Sequence, residues 1–325
     1  MKKYISIMIA VIVFACNILA CSSENNVKSS DKDKLQIVTT IFPEYDWVKN
    51  ILGENPSDAE VTMLLDNGID LHSYQPSADD ILKISNCDVF VYVGGESDEW
   101  VQDALKEAVN KDMAVINLMD VLKDEIKEEE VVEGMEEEEA EEEEEEAEYD
   151  EHVWLSLKNA AKIVSCISEE IQKIDSANAQ IYKKNADSYI EKLNVLDDEY
   201  QNAVDTASVT TLLFGDRFPF RYMTDDYGLT YYAAFVGCSA ETEASFETIT
   251  FLAQKMDELS LHAIMTIEGN KHDIAETVIQ NTQENNQKVL TLDSMQSTTS
   301  KDAKNGASYI SVMESNLDVL KEALK

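Results

Sequence analysis

An α/β fold of two lobes, each a roughly four-stranded parallel sheet flanked by helices and joined by a long linking helix, is predicted from three observations. Eight short runs rich in Val, Ile, Leu and Thr alternate with helix-like segments. The runs are almost continuously apolar instead of alternating, which suits parallel strands covered on both faces. They fall into two sets of four, separated by a stretch without Gly or Pro from 155 to 214.

The first set lies at 35–41, 60–65, 88–93 and 114–118, the second at 209–214, 229–236, 263–267 and 288–292. Helix punctuation fills the gaps. Pro43 suits a first helical turn and Gly53 a helix end. Ser77 with Asp80 three residues on reads as a capping box. Ser97 and Ser245 suit the N-cap role. Strand–helix–strand alternation of this kind builds right-handed parallel units. A helix from about 153 to 174 should break near Asp175-Ser176. Beyond it, Ile181, Tyr182, Tyr189, Leu193, Leu196, Tyr200 and Val204 recur at mostly three- and four-residue intervals, predicting the linking helix. The expected organisation is an N-terminal lobe over 35–175, the linking helix over 176–206 and a C-terminal lobe over 207–325.

The N-terminus places the chain in a compartment. Lys2 and Lys3 precede an apolar run that stops at Ala20-Cys21, the layout of a secretory signal over 1–20. A small residue before Cys21 fits lipoprotein processing, with Cys21 acylated and 21–34 serving as a polar tether. The expected location is the outer face of the cytoplasmic membrane, lipid-anchored. A formal charge of −39 over 325 residues argues against nucleic-acid partners and is compatible with cationic cargo. Fifteen of the twenty-one residues from Glu128 to Glu148 are Glu. Self-repulsion predicts a disordered or loosely helical insertion belonging to neither lobe, at most a weak cation trap. Cys87, Cys166 and Cys238 show no paired spacing, which reads as small buried residues, or one disulfide and a free thiol, and argues against a cysteine-based metal site.

Four histidines exist. His72 follows the second strand and His152 precedes a helix, both in turns where α/β sheets place binding groups. Asp216, Glu268 and Asp293 follow the fifth, seventh and eighth strands, and ligands of parallel sheets sit beyond strand C-termini. Two imidazoles with carboxylates suit a divalent ion such as zinc or manganese. His272 is an auxiliary candidate, or a solvent-facing residue of a first helical turn. His262 opens a strand and reads as structural, and Glu241 and Glu243 read as charges at the start of the next helix.

From Leu35 to Lys325 the chain resembles the zinc- and manganese-type solute-binding proteins of bacterial ABC importers. The resemblance is carried by Ile41-Phe42-Pro43, by Gly68-Ile69-Asp70-Leu71-His72-Ser73-Tyr74-Gln75-Pro76 against a G-x-D-x-H-x-Y/F-x-P motif, by Val91 to Gly94, by Glu99-Trp100, and by Asp150 to Leu155 against D-P-H-x-W-L. Glu151 stands where that last motif has proline. The resemblance implies a metal cleft between the lobes, with His72 and His152 as ligands and Asp293, in Leu292-Asp293-Ser294-Met295, as another. Its third ligand, a His or Glu, falls at Asp216 when aligned on Gly215 and at Arg217 when aligned on Tyr222. A guanidinium cannot ligate a metal, so Asp216 is the expectation, although pairing with Arg217 would leave it structural. Glu268 then stands as a nearby acid. The resemblance also implies an ABC permease as partner and zinc, with manganese the alternative, as cargo. The acidic tract, placed where zinc-type members carry their metal-attracting loop, favours zinc. A metal-dependent hydrolase is disfavoured by the lack of a Gly-rich phosphate loop or a G-x-S-x-G signal. A surface adhesin on the same fold is the other rival.

Overall fold

The computed structural model describes residues 34–53, 59–136, 148–239, 243–269 and 271–325. The expected signal, Cys21 and the tether lie outside the described residues, as do 137–147 of the acidic tract and Glu241.

Eight parallel strands form two sheets of the same order. β1 (Leu35–Thr39), β2 (Ala59–Met63), β3 (Val89–Tyr92) and β4 (Ala114–Asn117) lie as β2-β1-β3-β4. β5 (Thr211–Phe218), β6 (Thr230–Val236), β7 (Ala263–Ile267) and β8 (Lys288–Leu292) lie as β6-β5-β7-β8. Between strands run α1 (Phe42–Leu52), α2 (Ala78–Asn86), α3 (Trp100–Lys106) and α4 (Leu118–Val121) in the first lobe. α5 (Leu157–Ile174) and α6 (Ala179–Asp205) follow, then α7 (Arg221–Tyr227), α8 (Phe246–Leu259), α9 (Asp273–Gln280), α10 (Ser300–Lys304) and α11 (Tyr309–Ala323). Ser77 and Asp80 form the expected capping box on α2, and Ser245 caps α8 through Thr248 N.

α6 is the linking helix. Its 27 residues span about 40 Å. It buries Tyr182, Ala186, Tyr189, Leu193, Leu196, Tyr200 and Val204 against α5, α1 and α11, while Ile181, expected on this stripe, is 46% exposed. Residues of both lobes join one core around this helix. Tyr189 Oη donates to Asp46 in the first lobe, and Tyr200 Oη donates to Met313 O in the second. These two hydroxyls tie the helix to both sides.

The first part of the acidic tract departs from expectation. Among the described residues it is docked, not free. Glu128 pairs with Tyr149 in an antiparallel bridge, Met135 is buried, and Glu136 N donates to Ala234 O on edge strand β6. Glu130 pairs with Arg221. Val132 and Met135 supply the apolar anchors that the glutamate count hides.

Asp98, in a 3-10 turn after β3, is 2% exposed, and only one of its oxygens has a partner, Gly94 N at 3.0 Å. Burial pushes its carboxyl up to about 7 against that hydrogen bond, and Glu151 adds to the rise. A carboxyl raised in the fold favours the folded state most below its unfolded value, and that advantage is lost as pH rises through about 7. Asp98→Asn is therefore expected to stabilise the protein at pH 8 and to change little at pH 4. The gain is at most roughly 4 kcal/mol, less what an unpaired amide N–H costs. Urea unfolding at the two pH values checks this, and a variant less stable at pH 8 would refute it.

Candidate metal centre

His72 is presented by the 3-10 turn Leu71–Ser73, which Asp70 caps by accepting His72 N at 3.0 Å. Leu71, fully buried, anchors the turn beneath it. His152 precedes the turn Val153–Leu155, whose Trp154 is fully buried and donates from Nε1 to Ser294 O in the other lobe at 2.9 Å. His72 Nε2 and His152 Nε2 lie 3.2 Å apart. Cys238 Sγ completes the set, the three ligand atoms lying within 4.8 Å of one another. Among the described residues this is the one group of three or more such side chains.

The far side of each ring is held by an acid from one tripeptide. His152 Nδ1 lies 2.9 Å from Asp150 Oδ1, and His72 Nδ1 lies 3.4 Å from Glu151 Oε2 and 2.8 Å from Ser97 Oγ. Ser97, expected as a helix cap, serves His72 instead. α3 begins after Glu99 with no side-chain cap. Burial, then His152 and the Arg217 guanidinium, push His72 down to about 3, with Asp70 opposing. The ring is neutral at ordinary pH, as a ligand must be. Burial would lower His152, but Asp150, Glu151 and Glu129 outweigh it and raise it. Burial and the carboxylates of Glu129, Asp150 and Glu151 hold the Cys238 thiol well above its usual range.

The sequence argues against a cysteine-based site, yet the structure brings Cys238 to the two histidines. The three described cysteines are free, and Cys238 lies two residues past the end of β6. The rule that ligands gather beyond strand C-termini, applied to β5, β7 and β8, covers β6 as well. Gly237 makes the approach possible, because a Cβ there would stand 3.1 Å from the His152 ring.

The expected carboxylates are placed differently. β5 carries a bulge between Phe214 and Arg217, and bulges re-aim side chains. Asp216 consequently turns to the backbone, accepting Arg217 N at 2.9 Å and Ile267 N at 3.2 Å, and is not brought to the histidines. Arg217 pairs across the lobes with Asp70 at 2.6 Å, not with Asp216. Asp293 accepts Met295 N and lies near Glu268; burial, then that neighbour, raises it to about 6. It too stands outside the group. Glu268 accepts Ser294 N, Ser294 Oγ and Gln296 N, which fixes the loop after β8. His272 makes no side-chain cap at the start of α9, lies near Asp216 and is not part of the His72–His152–Cys238 group. His262 Nε2 meets Glu322 O, a structural contact.

Gln296 had no signal in its own vicinity. One end of its buried amide lies 3.4 Å from His152 Nε2, and the other lies 3.0 Å from Asp70 Oδ1. A carboxylate accepts only, so the amide nitrogen belongs toward Asp70 and the oxygen toward the histidines.

Two like-ordered parallel sheets, bridged by a long helix and gathering two imidazoles and a thiol between lobes, define a solute-binding protein of the two-lobed α/β class. The model of the family described as ZnuA, zinc-uptake complex component A, periplasmic, matches residues 37–323. The chain belongs to that family. It is 30% identical over 321 residues to the high-affinity zinc uptake system protein ZnuA of Bacillus subtilis, covering 96% of each chain. It is 33% identical over 323 residues to the zinc-binding lipoprotein AdcA of Streptococcus pneumoniae, covering 99% of this chain but 61% of that one. The chain thus spans about three-fifths of the length of that streptococcal relative. The crystal structure of the Zn(II)-bound ZnuA-like domain of the same AdcA superposes with a TM-score of 0.70 at 29% identity, covering 90% of this chain and 99% of that one.

Proposed function

We propose that this chain binds Zn²⁺ outside the cell through His72, His152 and Cys238, with the Gln296 oxygen as a fourth donor, and passes it to the permease of an ABC importer. The observation that carries the reading is the 3.2 Å separation of the two Nε2 atoms, one on a buried ring and one on a half-buried ring, with a thiol beside them. Two nitrogens bound to one tetrahedral zinc at about 2.0–2.1 Å stand roughly 3.3 Å apart. Sulfur and imidazole favour zinc over manganese, which prefers oxygen. Zinc is named in the bacillary and streptococcal relatives and present in the solved domain, which supports the same cargo here. Acylation at Cys21 would hold the protein beside its permease and raise the effective concentration for docking. Asp293 and Asp216 act in this reading as supports of the cleft loops.

Competition between zinc and manganese for the purified chain tests it. One tightly held zinc per chain, displaced by manganese only at large excess, is expected. Preferential manganese retention would overturn the choice of ion.

A further inference from the structure

We propose that Glu151 is a positioning residue for metal capture, its buried carboxylate fixing the His72 ring so that Nε2 is the atom offered to the ion. The proposal rests on the zinc reading above. A neutral imidazole that gives one nitrogen to a metal carries its proton on the other, and the group facing that proton sets ring orientation and basicity. For His152 that group is Asp150. For His72, Nδ1 faces Ser97 Oγ at 2.8 Å and Glu151 Oε2 at 3.4 Å. Glu151 is 2% exposed, and its Oε1 accepts Ser97 N at 2.9 Å. Oε2 is buried and accepts no well-formed hydrogen bond. A buried carboxylate oxygen without a donor is costly, and the His72 Nδ1 proton is the donor within reach.

The surrounding loop is shaped around this acid. Gly95 has φ +78, and a Cβ there would stand 2.3 Å from Glu151 Oε1. Asp150-Glu151-His152 thus supplies one ligand and an anionic partner for each ring, so a single tripeptide orients the lone pairs of two histidines presented by different turns.

Zinc affinity of the full chain, measured by chelator competition, together with long-range ¹H–¹⁵N correlation of the His72 ring, tests the proposal. Gln at 151 offers one oxygen to two N–H donors, so either Ser97 N or His72 Nδ1 faces an amide NH₂. Glu151→Gln is expected to weaken zinc binding roughly 10–100-fold and to change the His72 Nδ1–H resonance. Ser97→Ala, which keeps the backbone N–H, should cost less. Wild-type affinity and an unchanged His72 spectrum in Glu151→Gln would overturn the proposal while leaving the zinc reading standing. So would a Ser97→Ala variant that reproduces the whole loss. Should Glu151→Gln not fold, Glu151→Asp retains the charge but withdraws it by one methylene. The same direction of affinity loss and spectral change is then required of it. A wild-type chain that takes up no zinc sinks the underlying reading and this proposal together.

Discussion

His152→Ala is expected to lower zinc affinity by roughly two to three orders of magnitude, one ligand's share of a four-donor site. The ring is fully buried and its Nδ1 is held by Asp150 at 2.9 Å, so little ordering remains to be done when a metal arrives. Removing it takes away a preorganised nitrogen and leaves a cavity beside Trp154, whose ring centre lies 5.2 Å away. Some loss of thermal stability should accompany the loss of binding. The fold should survive, because Trp154 and Leu155 anchor the turn independently. His72→Ala should show the affinity loss with a smaller change in stability, since that ring is partly exposed. Chelator competition and circular dichroism separate the two effects. Unchanged affinity in either variant removes that residue from the site.

Cys238→Ala should weaken zinc by about a hundredfold or more and reduce preference for zinc over oxygen-seeking ions. Cobalt substitution gives a direct reading. A thiolate-to-cobalt charge-transfer band is expected in the wild type and absent in the variant. A proton balance follows from the raised thiol. Zinc binds the thiolate, so a thiol protonated at working pH must release its proton on binding, and affinity rises with pH. The proton release should be smaller in Cys238→Ala by the thiol's share, as measured by calorimetry in buffers of different ionisation heat. Asp216→Asn should leave zinc affinity nearly unchanged, because its carboxylate serves two backbone N–H groups. The opposite pattern, Cys238→Ala harmless and Asp216→Asn crippling, would return the third ligand to β5.

The strands were legible because parallel strands buried on both faces are nearly continuously apolar, as Val89 to Tyr92 and Ala263 to Ile267 are. His72 and His152 were legible because each lies among residues with local duties. Asp70 caps the His72 turn, and Trp154 locks the His152 turn to the other lobe. The second half of the site was harder to read because its geometry is not local. Across the bulge in β5, Asp216 faces backbone N–H groups and Arg217 faces Asp70, and no composition rule marks a bulge in a parallel pair. Cys238 stands alone, and a spacing rule for paired cysteines does not see a single sulfur brought in by a strand end. Gln296 carries no charge and no metal signature; only Asp70, 226 positions earlier, orients its amide.

The base of the acidic insertion is sewn shut. Glu129 N donates to Glu148 O and Asp150 N to Lys127 O, both at 2.9 Å, on either side of the Glu128–Tyr149 bridge. The clasp therefore closes the tract immediately before Asp150 and His152, while Met135 and Glu136 dock its outgoing arm against the second lobe. Closing a loop costs only about 0.6 kcal/mol more for each doubling of its length. Changes in the length of the tract are therefore cheap in closure entropy, and the clasp stands between them and the Asp150-Glu151-His152 turn.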